Sequence, residues 1–513
     1  MPRLRPVATI SPAELEAGQR ALVNDLAWAS LSGAFAGGVI LVAFALRLGA
    51  TPLQVGLLAA IPFMAQATQL PATLLIERIR LRQRIGVAAV TGARVLVLCM
   101  AALPFLGNQG MALNALIAVQ VLIATCNAVG GCAINSWMHQ LIPHERLGRF
   151  FSRRLFFGTA LACVGTLAAG ELIDHAPRQD PLIAYAIAFG IAALAGFVSS
   201  WHLARAPEPQ MPQAGPPAGG VLQRLARPLH DPNFRRLLIF LAAWTIASNL
   251  SAPFLTVYLM EQRGYTVSTV TSLWVTSQVA NAFTLYLWGR LSDRLSNQGV
   301  LAVVLPVHFT CVLALVFVDG VRSETTQLAL LYGIHVVMGI ATGGIVLATG
   351  NLGLKLAPQG EGTVYLAAIG LASAVAGGIA PIVAGLLAQR LQVSELSAVV
   401  RWQSPGHWNE MAVFSFAHWE FLFALSALAG LYVIHALWRI EEGREVSERQ
   451  VVQAFALEAW RSVNNVSTTA LSVLFPFERL SERRKWWRKD RRGRPREVAA
   501  VAHRLRRDRR HPA

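Results

Sequence analysis

The feature that most constrains this chain is the recurrence of apolar stretches, each long enough to cross a bilayer, separated by short polar breaks. A membrane-spanning helix needs about 20 mostly apolar residues, because each backbone N–H and C=O in the hydrocarbon must be satisfied inside the segment. Such runs lie near Leu26–Leu48, Leu53–Ile76, Ile85–Leu106, Met111–Trp137, Leu155–Ile173 and Leu182–Leu203. Six more lie near Leu237–Leu259, Val267–Trp288, Val300–Val318, Leu328–Leu352, Val364–Leu391 and Met411–Trp438. Between the two sets, Arg205–Arg236 holds Pro207, Pro209, Pro212, Pro216 and Pro217 among glycines and arginines, which is linker composition. The expected fold is an all-α membrane protein of twelve transmembrane helices in two six-helix, pseudo-symmetric halves. The boundaries read as an amphipathic N-terminal segment (1–25), a first half (26–204), a linker (205–236), a second half (237–438) and a basic tail (439–513).

Composition agrees with lipid as the solvent. Only 14% of the 513 residues are charged and 54% are hydrophobic, whereas soluble domains carry about a quarter charged residues. The net charge of +17 is not a nucleic-acid signature, because it is concentrated in one place. From Arg479 onward there are 15 Lys or Arg against 4 Asp or Glu, a net +11. Cys99, Cys126, Cys132, Cys163 and Cys311 all sit in apolar runs without metal-ligand spacing, so neither a disulfide framework nor a zinc site is expected.

Loop charges give an orientation. Arg78, Arg80, Arg82 and Arg84 lie between spans 2 and 3, and Arg146, Arg149, Arg153 and Arg154 between spans 4 and 5. The linker adds Arg205, Arg224, Arg227, Arg235 and Arg236, while the alternate turns are sparse in Lys and Arg. The positive-inside rule then places both termini and the linker in the cytoplasm.

The two halves echo each other. Gly49, Thr51 and Val55 recur as Gly264, Thr266 and Val270, an offset of 215. Pro143 recurs as Pro358 and Gly170 as Gly385 at the same offset, and Glu77-Arg78 as Asp293-Arg294 at 216. A near-constant offset over several loops and spans reads as internal duplication, and parallel six-helix repeats are a transporter architecture.

Gly289-Arg290-Leu291-Ser292-Asp293-Arg294 resembles the G-x-L-x-D-R loop of the major facilitator superfamily between spans 8 and 9. Thr73-Leu74-Leu75-Ile76-Glu77-Arg78 is a degenerate first-half copy. The stretch Trp137–Arg154, with Pro143, Glu145, Arg146, Gly148, Arg149, Phe150 and Phe151, is similar to the loop after span 4 in many bacterial members. The resemblance implies a secondary active transporter in the bacterial cytoplasmic membrane. It would move a small organic solute by alternating access, coupled to a proton or sodium ion. Gly165–Gly170 lacks the proline of the span 5 antiporter motif, and the span 4 position of the drug antiporters' coupling arginine falls at Asn127, so this is not the pattern of a standard drug/proton antiporter. No phosphate-binding Gly-rich loop occurs, no nucleophile–base constellation marks an enzyme, and no cofactor is expected.

Polar residues inside spans are the substrate-cavity candidates, because an intramembrane polar group is costly without a purpose or a partner. They are Asp25, Gln66, Gln120, Asn127, Trp244, Asn249, Asn281 and His335. Each has a structural alternative. Asp25 reads equally as an interfacial acid near a helix start, and the amides and His335 as interhelical hydrogen-bonders. The family resemblance implies a gating loop of Glu77, Arg78, Gly289, Asp293 and Arg294 that would latch the halves on the cytoplasmic side. In the tail, Arg483–Lys489 surrounds Trp486-Trp487, a pattern suited to anionic lipid rather than nucleic acid. The rival reading of the whole chain is a transporter-like membrane sensor or scaffold with a partner-binding tail.

Overall fold

The computed structural model describes residues 6–7, 9–143, 146–177, 180–211, 221–294, 296–321, 323–358, 362–404, 407–442, 450 and 452–455. The first half contains α1 (Pro12–Arg47), α2 (Pro52–Ile79), α3 (Arg82–Phe105), α4 (Gln109–Leu141), α5 (Leu147–Asp174) and α6 (Leu182–Leu203). The second half contains α7 (Pro232–Gln262), α8 (Val267–Arg294), α9 (Asn297–Val318), α10 (Glu324–Leu356), α11 (Gly362–Leu391) and α12 (Glu420–Leu437). Among the described residues, eleven helices are long and apolar enough to cross a membrane, one fewer than the twelve spans expected. The helix outside that set is α8, which has 28 residues but carries a dense series of Ser, Thr, Gln and Asn between Ser268 and Thr284.

Helix starts follow local chemistry. Ser11 and Glu14 form a capping box at α1 with Pro12 in the first turn, and Thr51, Gln54 and Pro52 repeat the device at α2. Asn108, Ser296 and Ser323 cap α4, α9 and α10. The α1 helix is broken at Gly37, and Gly38 takes φ +51°, a left-handed conformation that a side chain would oppose. Its first segment (Pro12–Ala36) packs on α5 and α6, whereas its second (Gly38–Arg47) reaches α7 and α8.

The structure moves several boundaries. Residue 25 lies inside α1, so no separate amphipathic segment ends there. The start of the linker is part of the first half: Ala206 and Glu208 are buried, and Val7 and Pro209 form a β-bridge. Residues 212–220 lie outside the description, and a short helix (Val221–His230) precedes α7. The twelfth span is shorter than Met411–Trp438. Residues Glu395–Ser404 (β1) and His407–Ala417 (β2) form an antiparallel hairpin between α11 and α12. Residues from Arg449 form a separate unit, and the basic tail from Arg479 lies outside the described residues.

Each half has a matching clamp on the linker side. Glu208, arriving after α6, accepts from the Arg82 and Gln83 backbone N–H groups at the start of α3 (2.8 and 3.2 Å). It also pairs with the Arg82 guanidinium at 3.2 Å, both side chains buried. Glu442, arriving after α12, accepts from the Asn297 and Gln298 N–H groups at the start of α9 (3.1 and 2.7 Å) and from Lys355 at 2.9 Å. A carboxylate over orphan N–H groups also meets the positive end of the helix dipole. Arg82 and Asn297 are 215 apart, so the clamp follows the repeat.

A central chamber sealed at one end

Two seams join the halves, and they too are related by the repeat. In one, α2 packs on α11: a Cβ added at Gly56 would overlap the Pro381 carbonyl, and one at Gly385 would overlap Pro52 and Leu53. In the other, α5 packs on α8: a Cβ at Gly170 would overlap Thr271 and Ser268. Asp174, at the end of α5, accepts from the Val267 and Ser268 N–H groups (3.0 and 2.6 Å) and so caps α8 from across the seam. All these contacts lie near the Gly49 and Gly264 turns. A large buried core is at the same end, with Phe44, Tyr185 and Phe189 from one half and Phe254, Tyr258, Trp419 and Phe423 from the other.

Toward the linker end the same seam helices expose apolar side chains. Leu70, Leu74, Leu75 and Ile79 on α2 are 44–58% exposed, and Phe283 and Tyr286 on α8 are 81% and 64% exposed. Between the halves lies a chamber of about 760 Å³. Its walls come from α1 (Leu26 to Val42), α2 (Val55 to Phe63), α5 (Leu155 to Thr166), α7 (Ala252, Pro253, Thr256) and α8 (Trp274, Val275, Gln278). The break in α1 opens onto it through Gly37 and Gly38. The chamber is closed at the Gly49 end and directed to the linker end.

The sequence candidates sit elsewhere, since none of the eight is among the residues lining this chamber. Asp25 is buried between helices: it accepts from the Ser199 hydroxyl at 2.7 Å and pairs with Arg154 at 3.4 Å, joining α1, α5 and α6. Gln66 bonds Gln69 on its own turn. Gln120 reaches the Met100 sulfur at 3.6 Å, and Asn127 is exposed. Trp244 packs edge-on against His308 and Phe309, with ring centroids 5.1 and 5.8 Å away. Asn249 donates to the Thr245 carbonyl at 2.9 Å. Asn281 faces Gly343 of α10, and His335 is buried with Nδ1 2.8 Å from the Leu331 carbonyl. The residues that do line the chamber are mostly apolar, with Ser30, Thr159, Cys163, Thr166, Thr256, Trp274 and Gln278 as the polar exceptions. Their signal in the sequence is weak, because they are ordinary residues of a lipid-compatible helix.

Of the gating loop, Glu77 and Arg78 are exposed at the linker end, and Gly289 packs near Leu347. The side chains of Asp293 and Arg294 lie outside the described residues. Among the described residues, no group of three or more His, Cys, Asp or Glu could hold a metal ion.

Comparison with known proteins agrees with this architecture. The family model of the Major Facilitator Superfamily matches residues 26–381. No curated protein matches the chain by sequence. Among solved structures, the nucleoside transporter NupG is similar at TM-score 0.58 and 13% identity, over 84% of this chain and 100% of that one. A bacterial homologue of the iron transporter ferroportin, in its inward-facing state, is similar at TM-score 0.58 and 15% identity, over 83% of this chain and 99% of that one. A bacterial homologue of the lysosomal transporter Spinster, inward-facing and occupied, is similar at TM-score 0.54 and 13% identity, over 88% of this chain and 98% of that one. At these identities the likeness is one of fold. The family model covers more than half of the chain, and with the paired six-helix halves it fixes the assignment: the protein belongs to the Major Facilitator Superfamily and is a multi-pass membrane transporter.

Proposed function

We propose that the protein is a secondary transporter that carries a small organic solute through the central chamber by alternating access. One observation carries this reading: a chamber between the two halves, sealed at one end by two repeat-related seams. Its size falls in the range of about 300–1,000 Å³ typical of small-molecule sites. A sensor or scaffold has no need of a one-sided chamber between repeats.

In this reading the linker end is cytoplasmic, by its arginines, and the membrane is the bacterial inner membrane. On that orientation the chamber faces inward. Glu77, Arg78, Asp293 and Arg294 then belong to a latch that forms when the halves close on the cytoplasmic side. A coupling ion would act away from the chamber wall, with Asp25 as the candidate carboxylate; its burial beside α5 and α6 supports this. The basic tail binds anionic lipid.

Transport in proteoliposomes under imposed pH and sodium gradients tests the reading. Solute accumulation should follow one gradient in the wild type, and Asp25→Asn should leave exchange but abolish gradient-driven accumulation. Accumulation untouched by either gradient would remove ion coupling. For the latch, Asp293→Asn should slow transport and raise labelling of chamber cysteines from the cytoplasmic side. A shift of about 1.4 kcal/mol would change the ratio of the two states tenfold.

A further inference from the structure

Four arginines of the first half meet around a second cavity, apart from the chamber. It has a volume of about 580 Å³ and lies between the start of α1 and the start of α5. Arg20, Arg146, Arg149 and Arg153 line it, with Glu16 as the one acid among the described lining residues. Arg149 and Arg153 follow Arg146 by three and seven residues, so the start of α5 presents all three on one face, and Arg20 meets them from α1. With Glu145 of the same loop counted from the sequence, four guanidiniums still stand against two carboxylates.

Elsewhere in this half the arginines that tie helices together have acids: Arg82 has Glu208 and Arg154 has Asp25. Among the described residues, no carboxylate is paired with Arg20, Arg146, Arg149 or Arg153, and Arg20 donates only to the Glu16 carbonyl at 3.4 Å. The four side chains are exposed, so a ligand can reach them. The α5 helix also begins here, at Leu147, without a side-chain cap. Its leading N–H groups are the positive end of the helix dipole, where added cations are unfavourable and an anion is favourable. The positive-inside rule asks only for basic residues on this side of the membrane. It does not require two segments to crowd theirs around one cavity. A bound anion relieves that repulsion, and the guanidinium fork matches phosphate oxygens two at a time.

The depth of the cavity points to a lipid. Arg153 and Arg20 precede Leu155 and Leu26, the starts of two apolar runs, by two and six residues, the longer gap being about 9 Å of helix. Arginine side chains bridge such a distance, which sets the cavity at the headgroup layer. One turn beyond Arg153 on its face stands Phe157, and Val164 follows two turns later, both exposed. The Arg153 guanidinium lies over the Phe157 ring, 5.9 Å from its centroid, so the basic cavity runs into an apolar helix face. We propose that this cavity binds the headgroup of an anionic phospholipid, with its phosphate held by Arg20, Arg146, Arg149 and Arg153 and an acyl chain laid along Phe157 and Val164. The cytoplasmic leaflet follows from the orientation proposed above; the site itself depends neither on that nor on the carrier reading.

Hydrogen exchange reads the site locally and separates it from the basic tail. The full-length protein in neutral maltoside micelles is titrated with phosphatidylglycerol, phosphatidylcholine or inorganic phosphate, and exchange is followed over residues 12–23 and 147–154. Phosphatidylglycerol should slow both segments together, with a midpoint about tenfold below that of phosphatidylcholine. Arg149→Gln combined with Arg153→Gln should raise that midpoint about thirtyfold. Arg205→Gln combined with Arg235→Gln, which removes two charges from the same end but outside the cavity, should change it less than about twofold. Glu16→Gln should lower it about threefold, a gain that misfolding cannot produce. Inorganic phosphate, lacking an acyl chain, should act only at about a hundredfold higher concentration. Equal response to the two lipids, or a midpoint unmoved by the Arg149 and Arg153 pair, would overturn the site. An equal loss in the Arg205 and Arg235 pair would reduce it to general surface charge. Inorganic phosphate acting at the lipid's own concentration would overturn the lipid as occupant.

Discussion

The two halves of this protein share a plan and differ in where they place charge. Both bring an acid back from beyond the sixth helix to cap the third, through Glu208 and Glu442. In the first half the partner is Arg82, and both side chains are out of solvent. In the second half the partner is Lys355, which is half exposed. Deeper in the membrane the contrast is sharper. The first half buries Asp25 against Arg154 and Ser199, while the position one repeat away is Phe240, which is fully buried. The halves therefore match in packing more closely than in electrostatics. The first half supplies most of the chamber wall and the only one of these two positions with a charge; the second supplies Trp274 and Gln278.

That contrast can be broken at its strongest points first. Glu208→Ala strands a buried guanidinium and should cost about 3–5 kcal/mol, as should Asp25→Ala, which strands Arg154. Thermal unfolding of the purified protein would read both. Glu442→Ala loses a helix cap whose cation partner can turn to water, and should cost about 1–2 kcal/mol. An equal or larger loss at Glu442 would erase the asymmetry.

Acid should act on the second-half clamp. Desolvation pushes the Glu442 carboxyl up, but the Gln298 N–H, Lys355 and the Asn297 side chain and N–H outweigh it and hold it below its ordinary value of 4.5. A carboxyl depressed in the folded state stabilises above that ordinary value, and the contribution is lost as pH falls through the folded value. Stability of the wild type should therefore step down below pH 4.5, and Glu442→Gln should lack that step. The smallest effect is expected at Gly38, where Gly38→Ala puts a side chain at positive φ and should cost about 1 kcal/mol in the same unfolding assay.

Much of the fold was legible because hydrophobic run length is set by bilayer thickness, a constraint that acts locally on each segment. The repeat was legible because turns need particular residues, so Gly49, Thr51, Gly264 and Thr266 kept their identities. The hairpin was missed because the apolar residues of β2, Met411 to Phe416, run on into α12; the Ser404-Pro405-Gly406 turn signal was the available clue. The clamps were missed because Glu208 and Glu442 act on N–H groups far away in the chain. The chamber wall was the least legible part. Polar side chains such as Asn249 and Trp244 have partners within or between helices, whereas the chamber is walled by alanines, valines and leucines that look like any lipid-facing surface.

In the proposed function the two halves rock about the two seams, with the Gly49 end closed in this structure. Paired spin labels test it directly: one pair at Gly49 and Gly264, a second at Arg80 and Gly350, measured in the wild type and in Gly170→Leu. The leucine wedges the α5–α8 seam apart against Thr271. The Gly49–Gly264 distance should lengthen while the Arg80–Gly350 distance shortens, because closing one end opens the other. Distances that stay fixed at both ends, or lengthen together, would contradict it.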